Sequence, residues 1–364
     1  MISIKPVINC SGKMTYLGSS VLSDEVICAM NDGAKSFYDM KDLNQKASDY
    51  IGKLSGADGA FITPGASSAI AACVASLITK DNRSMVENIP FTNNPCNKVI
   101  LQKGHSIHFG AKITQMIAMG GGKALEVGTV NKCEPYQISD AIDDDVCAIL
   151  YVKSHHAQQD GMVSLEDIIK IAKEKNIAVI VDAAAEENLK TYLSKGADLV
   201  VYSGAKAFSG PTSGCIVGNK PYIDWCKLQS VGIMRAMKVG KETIFGLLKA
   251  IELQAKSTRS IDEQKQILSN LENYLNGVSN LSTKLVFDSV GREIVRLRLF
   301  VGNDFKMNAN DLSVWLKSQE PAIYTRDHHR ENGYIEFDPR VMKDSDGEEI
   351  IKRVKELIRG DKHE

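Results

Sequence analysis

Short apolar runs and longer amphipathic segments alternate along the chain from about residue 59 to about residue 206. The apolar runs are bounded by glycine, proline or small polar residues and are typical of buried strands, whereas the segments between them carry apolar residues at helical spacing. The predicted strands are Gly59–Thr63, Asn97–Gln102, Val146–Val152, Ala178–Asp182, Leu199–Tyr202 and Ser213–Gly218. This alternation predicts an α/β fold, a mostly parallel sheet with helices on both faces.

Helices are predicted from spacing and from capping residues. Ser23 precedes two acidic residues and is a typical N-cap, so we expect a helix to begin there. The other predicted helices cover residues 42–55, 69–78, 164–175 and 186–195, and a long helix begins near residue 241. Beyond about residue 260, alternation of period two predicts strands at 286–288, 293–300 and 334–337, with helices near 310–318 and 346–359.

These elements predict three parts of the chain. Residues 1–45 form an N-terminal arm and helix, residues 46–245 a large α/β domain, and residues 246–364 a linking helix and a small α+β domain. Residues 9–18 are rich in glycine and small polar residues, so we expect the arm to be irregular. A chain of 364 residues is long enough for this division.

Composition excludes several classes of protein. The net charge of −1 lacks the basic surplus of nucleic-acid-binding proteins. No apolar run reaches the roughly 20 residues that span a bilayer, and the N-terminus lacks the pattern of a signal peptide. Eight cysteines occur without a CxxC pair, and Cys28, Cys73, Cys147 and Cys215 lie in apolar surroundings. We therefore expect buried free thiols in a cytoplasmic protein rather than disulfides or zinc.

Two predicted strands end in side chains of opposite charge. One ends at Asp182, and the next is followed by Ser203-Gly-Ala-Lys206. A lysine and a carboxylate at neighbouring strand ends are typical of a pyridoxal 5'-phosphate (PLP) site. There the lysine is linked covalently to the cofactor and the carboxylate keeps the pyridine nitrogen protonated. Taken alone, Lys206 is more often an exposed loop lysine.

The segment Pro64-Gly-Ala-Ser-Ser68 joins a strand to a helix rich in small residues. Free backbone N–H groups and serine hydroxyls at a helix N-terminus bind anions, and the helix dipole favours negative charge there. Gly65, Ala66 and Ser67 are therefore predicted to bind a phosphate. The alternative is an ordinary strand–helix turn with Ser67 as a cap.

Histidines follow two of the predicted strands. His105 is the first candidate, and His108 the second, for a flat ring that stacks on a cofactor ring; the alternative is a capping or surface histidine. His155 and His156 are expected to point to opposite faces of a strand, so that at most one faces the site. They are not expected to chelate one ion together, and no metal site is predicted.

Several blocks resemble a known family. Ser203-Gly-Ala-Lys206, Gly210-Pro-Thr-Ser-Gly214 and the opening Ile8-Asn-Cys-Ser-Gly12 resemble the selenocysteine synthase (L-seryl-tRNA selenium transferase) group of fold-type I PLP enzymes, and Arg235-Ala-Met-Lys238 resembles its segment after the lysine. The blocks at 103–105, 151–156, 181–187 and 202–206 are similar to an ammonia-lyase branch of the group that acts on phosphorylated amino sugar acids. The resemblance covers nearly the whole chain.

The resemblance implies the fold, the cofactor and residue roles. It implies a fold-type I PLP-dependent transferase fold, with a seven-stranded, mostly parallel sheet and a smaller C-terminal domain. Lys206 matches the lysine that binds PLP covalently, and Asp182 matches the partner of the pyridine nitrogen. Gly65 to Ser67, with Ser203, match the phosphate region, and His105 matches the ring-stacking position.

The resemblance also implies a reaction and partners. It implies α,β-elimination of ammonia from a phosphorylated amino sugar acid, catalysed by Lys206 and Asp182, with Lys206 or His155/His156 as the acid for the leaving hydroxyl. Such a dianionic substrate needs cations, and the candidate substrate-binding residues are Lys13, Tyr16, Arg235, Lys238 and Arg326. Sites shared across a homodimer or higher homo-oligomer are expected.

Two further hypotheses stay open. The same scaffold could serve as an amino-acid lyase or as a selenium transferase on a charged tRNA. Because the shared motif begins by Val7, we expect no room for the N-terminal tRNA-binding segment of that group, so a nucleic-acid partner is not expected. A non-catalytic PLP-binding protein is the other hypothesis, and the presence of both Lys206 and Asp182 argues against it.

Overall fold

The computed structural model describes residues 2–256, 259–288 and 291–360. It divides into two compact units: a small unit of Met1–Val21 with Ser257–Glu364, and a large unit of Leu22–Lys256. These limits differ from the domain boundaries proposed from the sequence, since the long helix after residue 241 and the helix after Ser23 belong to the large unit.

The strands and helices are named in chain order. The described strands are β1 (Ile8–Cys10), β2 (Gly59–Thr63), β3 (Lys98–Gln102), β4 (Lys123–Val127), β5 (Val146–Val152), β6 (Ala178–Asp182), β7 (Leu199–Ser203), β8 (Gly214–Gly218), β9 (Leu281–Phe287), β10 (Val295–Val301), β11 (Ile323–Thr325) and β12 (Tyr334–Phe337). The described α-helices are α1 (Asp24–Lys35), α2 (Met40–Ser55), α3 (Ala66–Thr79), α4 (Arg83–Asn88), α5 (Ile113–Met119), α6 (Pro135–Asp140), α7 (Leu165–Lys175), α8 (Thr191–Lys195), α9 (Gly204–Ala207), α10 (Tyr222–Leu228), α11 (Lys241–Gln254), α12 (Ile261–Asn276), α13 (Ala309–Ser318) and α14 (Asp344–Arg359).

The large unit is built on a seven-stranded sheet in the order β2-β8-β7-β6-β5-β3-β4. Strands β7 to β4 pair in parallel, and β8 runs antiparallel to β2 and β7. Alternate residues of β6 reach different apolar clusters, with Val179 and Val181 in one and Ile180 in the other. Both faces of the sheet are therefore covered, which confirms the predicted fold class.

Several segments of the large unit differ from the prediction, among them helices α4, α5, α6 and α10, which were not predicted. The helix predicted over 186–195 is only α8, because residues 183–190 form a loop whose backbone is bound by side chains. Ala184 N–H donates to Asp182 Oδ1 at 3.1 Å, and Lys190 N–H donates to Asn188 Oδ1 at 2.8 Å. The strand β4 was not predicted, and its half-exposed residues place it at the edge of the sheet.

The small unit has its own core. Strands β12, β10 and β9 form an antiparallel sheet, and α12, α13 and α14 supply apolar residues to one cluster with it. The arm expected to be irregular contains β1, which pairs in parallel with β11. The first turns of α12 and α13 are capped by Ser260 and Asn308, whose side chains accept N–H bonds three residues on.

The cysteines are unpaired. All eight are free, and Cys73, Cys147 and Cys215 are buried as expected. The expectation for Cys28 is wrong: it lies on the exposed side of the amphipathic helix α1. Among the described helices, none combines the length and the apolar character needed to cross a membrane.

Candidate active site

Strand pairing brings several strand ends together at one edge of the large sheet. Val152 lies opposite Asp182, the last residue of β6. Ser203, the last residue of β7, lies opposite Gly214, which also lies opposite Thr63 at the end of β2. Because β8 runs antiparallel, its first residue lies where the other strands end. This edge therefore carries the segments that follow β2, β5, β6 and β7.

Lys206 lies in α9, a short helical turn directly after β7. The Ser203 hydroxyl caps this turn by accepting a hydrogen bond from the Lys206 N–H at 3.3 Å. The Gly204 N–H donates to the Ser213 carbonyl at 2.8 Å, which fixes the turn to the start of β8. Burial lowers the pKa of Lys206, and the charge of Asp182 opposes this shift. The lysine is thus half-buried and more readily deprotonated than an exposed one.

Asp182 is buried, with 6% of its surface exposed. Burial raises the pKa of Asp182 to about 6, whereas the hydrogen bond from Ala184 N–H and the positive charge of Lys206 oppose this shift. A further cation beside the carboxylate would favour its ionised form. This environment suits a carboxylate that holds a protonated ring nitrogen.

The first turn of α3 offers donors to an anion. The helix begins at Ala66, three residues earlier than predicted, and its N-cap Gly65 provides no side-chain cap. In the part of the chain that the structure describes, the N–H groups of Ala66, Ser67 and Ser68 have no hydrogen-bond partner. The Gly65 carbonyl is held by the hydroxyls of Thr63 and Ser68, at 2.9 and 2.8 Å. The free N–H groups and the helix dipole support a phosphate site.

Gly214 joins the phosphate site to the lysine turn. A Cβ at this position would lie 2.6 Å from the Gly65 carbonyl carbon and 2.9 Å from the Ala66 nitrogen. Only glycine permits so close an approach of two backbones. Gly214 also lies opposite Ser203. This one residue therefore contacts both the start of α3 and the strand that leads to Lys206. We did not select Gly214 or Thr63 from the sequence, because their role depends on the order of strands in the sheet.

His105 lies at the same edge, and His108 does not share its environment. His105 is fully buried, its Nδ1 accepts a hydrogen bond from Val152 N–H at 3.2 Å, and its ring packs edge-on against Tyr151. His108 is exposed, and its Nδ1 accepts from Gly110 N–H at 3.3 Å. Stacking of His105 or of His108 on a cofactor ring stays a prediction.

His155 and His156 are not on a strand. Because β5 ends at Val152, both lie in the following turn, and their rings face each other with centroids 3.9 Å apart. The expectation that they point to opposite faces of a strand is therefore wrong. His155 is half-buried and His156 is exposed. A catalytic role for His155 stays a prediction.

The candidate substrate-binding residues lie in both units. Arg235 is an exposed residue of the large unit, at the end of a short 3-10 turn. Lys13, Tyr16 and Arg326 belong to the small unit. The Tyr16 hydroxyl lies 3.3 Å from Ser11 Oγ, and the residue is 61% exposed.

Arg326 lies among several arginines of the small unit. Its Nε is 3.5 Å from Glu336 Oε2, whereas Arg298 donates to Oε1 of the same carboxylate at 2.8 and 3.0 Å. Burial lowers the pKa of Arg326, and the charges of Arg296 and Arg340 lower it further, against the opposite effect of nearby carboxylates. No side-chain hydrogen bond of Arg326 is present within the described residues. Its guanidinium is paired with Glu336 over this longer distance, and its side chain is 12% exposed.

The residues at the sheet edge fit PLP. A half-buried lysine with a lowered pKa, a buried carboxyl and an uncapped helix N-terminus match the aldehyde, the pyridine nitrogen and the phosphate of this cofactor. Asp182 lies opposite Val201 of β7, the strand that leads directly into the Lys206 turn.

The chain is similar to known proteins over most of its length. The model of the L-seryl-tRNA selenium transferase family matches residues 7–285. The chain belongs to this family of PLP-dependent enzymes. It is 38% identical over 98% of its length, and 96% of the relative's, to D-glucosaminate-6-phosphate ammonia lyase of Salmonella typhimurium.

Other relatives of this chain are named for different activities. A 5'-C-glycyluridine monooxygenase-decarboxylase of a Streptomyces species is 36% identical and covers 98% of this chain and 91% of its own. The L-seryl-tRNA(Sec) selenium transferase of Aquifex aeolicus is 25% identical, over 98% of this chain and 85% of its own. The ammonia lyase and the monooxygenase-decarboxylase, both above 30% identity, are thus named for different reactions.

Solved structures agree with the fold. The structure of D-glucosaminate-6-phosphate ammonia-lyase has a TM-score of 0.90 at 38% identity, covering 97% of this chain and 96% of that one. A NifS-like protein has a TM-score of 0.62 at 15% identity, covering 97% and 99% of the two chains. These neighbours confirm the fold of the fold-type I PLP enzymes.

Proposed function

We propose that the protein is a PLP-dependent ammonia-lyase. It converts D-glucosaminate 6-phosphate, or a close amino sugar acid phosphate, to 2-keto-3-deoxygluconate 6-phosphate and ammonia. The observation that carries the proposal is the placement of Lys206 and Asp182 at one sheet edge beside the free first turn of α3. The substrate is proposed from the similarity to the Salmonella ammonia lyase over nearly the whole chain.

The chain's own side chains supply the proton transfers. When bound, PLP acts as an electron sink for the electrons at C2 of the substrate. Lys206 Nζ, freed by the incoming substrate amine, removes the C2 proton, and burial favours its neutral form. Asp182 would keep the pyridine nitrogen protonated, and the Ala66–Ser68 N–H groups would hold the cofactor phosphate. His105 is the candidate for the ring that would stack on the cofactor.

The bonds that break and form balance. After the C2 proton is removed, the C3–O bond breaks and the hydroxyl leaves as water, with a proton from Lys206 or His155. The released product carries its nitrogen at C2, and water adds there and displaces ammonia. One water leaves and one is consumed, so the net products are the keto acid and ammonia.

A substrate with a carboxylate and a phosphate requires cations. Arg326 is the leading candidate, because it lies among other arginines and makes only a long contact to Glu336 at 3.5 Å. Lys13, Tyr16, Arg235 and Lys238 are further candidates for substrate contacts. A bidentate bond from Arg326 to either anion would both orient and bind the substrate.

We also propose that the protein acts as a homodimer or a higher homo-oligomer in the cytoplasm. Large apolar side chains of α1 and of the turn before α2 are exposed: Phe37 at 102%, Ile27 at 51% and Tyr38 at 40%. Exposed apolar groups of this size are typical of subunit interfaces. Sedimentation analysis of the wild type and of Phe37→Asp tests this. An oligomer that dissociates in the variant is expected, and a monomeric wild type would contradict it.

A substrate comparison tests the proposed reaction. The PLP-loaded protein is supplied with D-glucosaminate 6-phosphate, D-glucosaminate, free serine and seryl-tRNA, and ammonia, keto acid and oxygen uptake are measured. Ammonia and keto acid from the phosphorylated sugar acid, with weaker release from the unphosphorylated acid, are expected. Ammonia and keto acid from serine alone would favour the amino-acid lyase, and a selenium-containing aminoacyl-tRNA formed from seryl-tRNA and an added selenium donor would favour the transferase. Oxygen uptake would favour chemistry like that named for the Streptomyces relative.

A further inference from the structure

Two buried tyrosines outside the proposed chemistry direct their hydroxyls at one loop, residues 183–190, which joins β6 to α8 and is called here the β6–α8 loop. Tyr202 lies in β7 and is 0% exposed, and its hydroxyl donates to the Asn188 carbonyl at 2.9 Å. Tyr192 lies in α8 and is 6% exposed, and its hydroxyl donates to Glu186 Oε2 at 2.8 Å. Two separate elements therefore hold the same loop.

The first residues of the β6–α8 loop determine the hydrogen bonding of the Asp182 carboxylate. Burial raises the pKa of Asp182 to about 6, and the bond from Ala184 N–H to Oδ1, at 3.1 Å, acts against this shift by favouring the ionised form. Two backbone bonds join the same residues to β7: Ala183 N–H donates to the Val201 carbonyl at 3.0 Å, and Ser203 N–H donates to the Ala184 carbonyl at 3.1 Å. The carboxylate thus depends on where the loop begins.

The later residues of the loop are held by side chains. In the described part of the chain, no backbone hydrogen bond joins residues 187–190 to a strand. Gln254 Nε2 donates to Glu187 Oε2 at 3.1 Å, but this bond is exposed and competes with water. The bonds of Tyr192 and Tyr202 come from buried rings and are better shielded. A phenylalanine would fill either ring position without a hydroxyl that needs a partner.

We propose that Tyr192 and Tyr202 are positioning residues, whose hydroxyls fix the β6–α8 loop and thereby hold the Asp182 carboxylate, through Ala184 N–H, for the pyridine nitrogen of PLP. The inference rests on the proposed PLP site but not on the identity of the substrate. Neither tyrosine needs to touch the cofactor, because both act through the loop. A displaced loop should therefore weaken PLP binding and lower kcat, rather than raise KM.

Hydrogen–deuterium exchange of the apoprotein tests whether the hydroxyls fix the loop. Tyr202→Phe keeps the buried ring and removes one hydrogen bond, so we expect exchange across residues 183–190 to become roughly three- to tenfold faster. Tyr222→Phe is the matched control, since the Tyr222 ring packs edge-on against Trp225 in α10, with centroids 5.5 Å apart. We expect the control to leave exchange in the β6–α8 loop unchanged. Wild-type exchange in the loop of Tyr202→Phe would overturn the inference.

Cofactor titration and kinetics test whether the loop acts on Asp182. PLP binding to the apoprotein, followed by the visible absorbance, should be roughly three- to tenfold weaker in Tyr202→Phe. At saturating PLP, its kcat for D-glucosaminate 6-phosphate should fall by a similar factor, while KM stays within about twofold. A variant that has a lower melting temperature but wild-type PLP affinity and kcat would show a purely structural role and overturn the inference.

A conservative pair of variants at Glu186 separates positioning from a catalytic charge. Glu186→Gln keeps a carbonyl oxygen that accepts from the Tyr192 hydroxyl, whereas Glu186→Leu has no acceptor. We expect Glu186→Gln to keep PLP affinity and kcat within about twofold of the wild type, and Glu186→Leu to lose as much as Tyr192→Phe. Equal losses in the glutamine and leucine variants would overturn the role of Tyr192.

Failure of the inference is distinguishable from failure of the proposed function. A wild type that gains no visible absorbance with PLP would overturn the proposed cofactor site, and this inference with it. A wild type that binds PLP but does not act on D-glucosaminate 6-phosphate would overturn the proposed reaction alone, because hydrogen exchange and PLP titration still test the two tyrosines.

Discussion

The Asp182 carboxylate and the Lys206 ammonium oppose the effect of burial on each other. Burial raises the pKa of Asp182 to about 6 and lowers the pKa of Lys206, and the attraction between their charges acts against both shifts. The sheet edge therefore holds a pair of groups whose protonation responds to an incoming charge. A cationic ring of a ligand would suit the Asp182 carboxylate, and an electrophilic aldehyde would suit the Lys206 amine.

Lys206→Ala should abolish covalent attachment of PLP. Borohydride treatment of the loaded wild type should leave a stable adduct on the peptide that contains Lys206, detected by mass spectrometry, and turnover of the variant should fall by roughly 10³-fold or more. Lys103→Ala is the control, because Lys103 is an exposed lysine directly after β3, another strand of the same sheet. An adduct of equal yield in Lys206→Ala would show that another lysine binds the cofactor.

Asp182→Asn should make the apoprotein more stable at neutral pH. The folded-state pKa of Asp182 is raised from 3.8 to about 6, so the folded protein retains a proton that the unfolded chain loses. The free energy of unfolding of the wild type therefore falls by at most about 3 kcal/mol as the pH rises from 3.8 to about 6. The amide of the variant does not ionise, so the variant does not lose this stability. Below the window the two proteins should be equally stable.

Thermal unfolding across this pH range measures the difference for Asp182→Asn. Asp262→Asn serves as the control, since the Asp262 side chain is 95% exposed. An Asp182→Asn protein that is less stable than the wild type at neutral pH would contradict the account of the buried carboxyl. Turnover of the loaded variant should also fall, because the amide does not carry the charge that holds the pyridine proton.

Much of this site was predictable because each key residue follows a strand directly. Asp182 ends a clear apolar run, Lys206 lies in the turn after another, and Gly65 directly precedes helix α3. Thr63 and Gly214 were missed, because their contact arises from the antiparallel β8 lying between β2 and β7. Strand order is set by packing across the whole sheet, which local periodicity does not report.

The same limit applies to the fold. Strand β4 escaped prediction because Lys123-Ala-Leu-Glu-Val127 has the composition of a helix, and only its pairing with β3 makes it extended. His155 and His156 were predicted to lie on a strand, but β5 ends at Val152. Their rings therefore face each other instead of pointing to opposite faces of the sheet. The periodicity of apolar residues is least informative about the exact residue at which a strand ends.

Gly214→Ala should weaken PLP binding and lower the melting temperature together. The added Cβ would lie 2.6 Å from the Gly65 carbonyl carbon, so the first turn of α3 must shift, at a cost of roughly 1–3 kcal/mol. Gly347→Ala in α14 is the matched control, because its Cβ would meet no atom within 4 Å. Calorimetry and PLP titration of both variants check this. Unchanged PLP affinity in Gly214→Ala would argue against a phosphate site at α3.

Arg326→Gln should raise KM for the phosphorylated sugar acid without changing the absorbance of bound PLP. Because the variant loses a charge-assisted contact to a substrate anion, we expect KM to rise by roughly 10- to 100-fold. Arg298→Gln is the control, since Arg298 binds the same Glu336 and packs on Tyr334, with its guanidinium carbon 4.1 Å from the ring centroid. We expect the control to lose stability and to keep its KM. Equal KM changes in both variants would indicate a structural role for Arg326.

The stoichiometry of a single reaction under anaerobic conditions tests the central claim most directly. The PLP-loaded protein is mixed with D-glucosaminate 6-phosphate in the absence of oxygen, and ammonia and keto acid are counted per substrate consumed. We expect equal amounts of both products at an undiminished rate, and neither product with Lys206→Ala. Turnover that requires oxygen, or keto acid formed without ammonia, would contradict it.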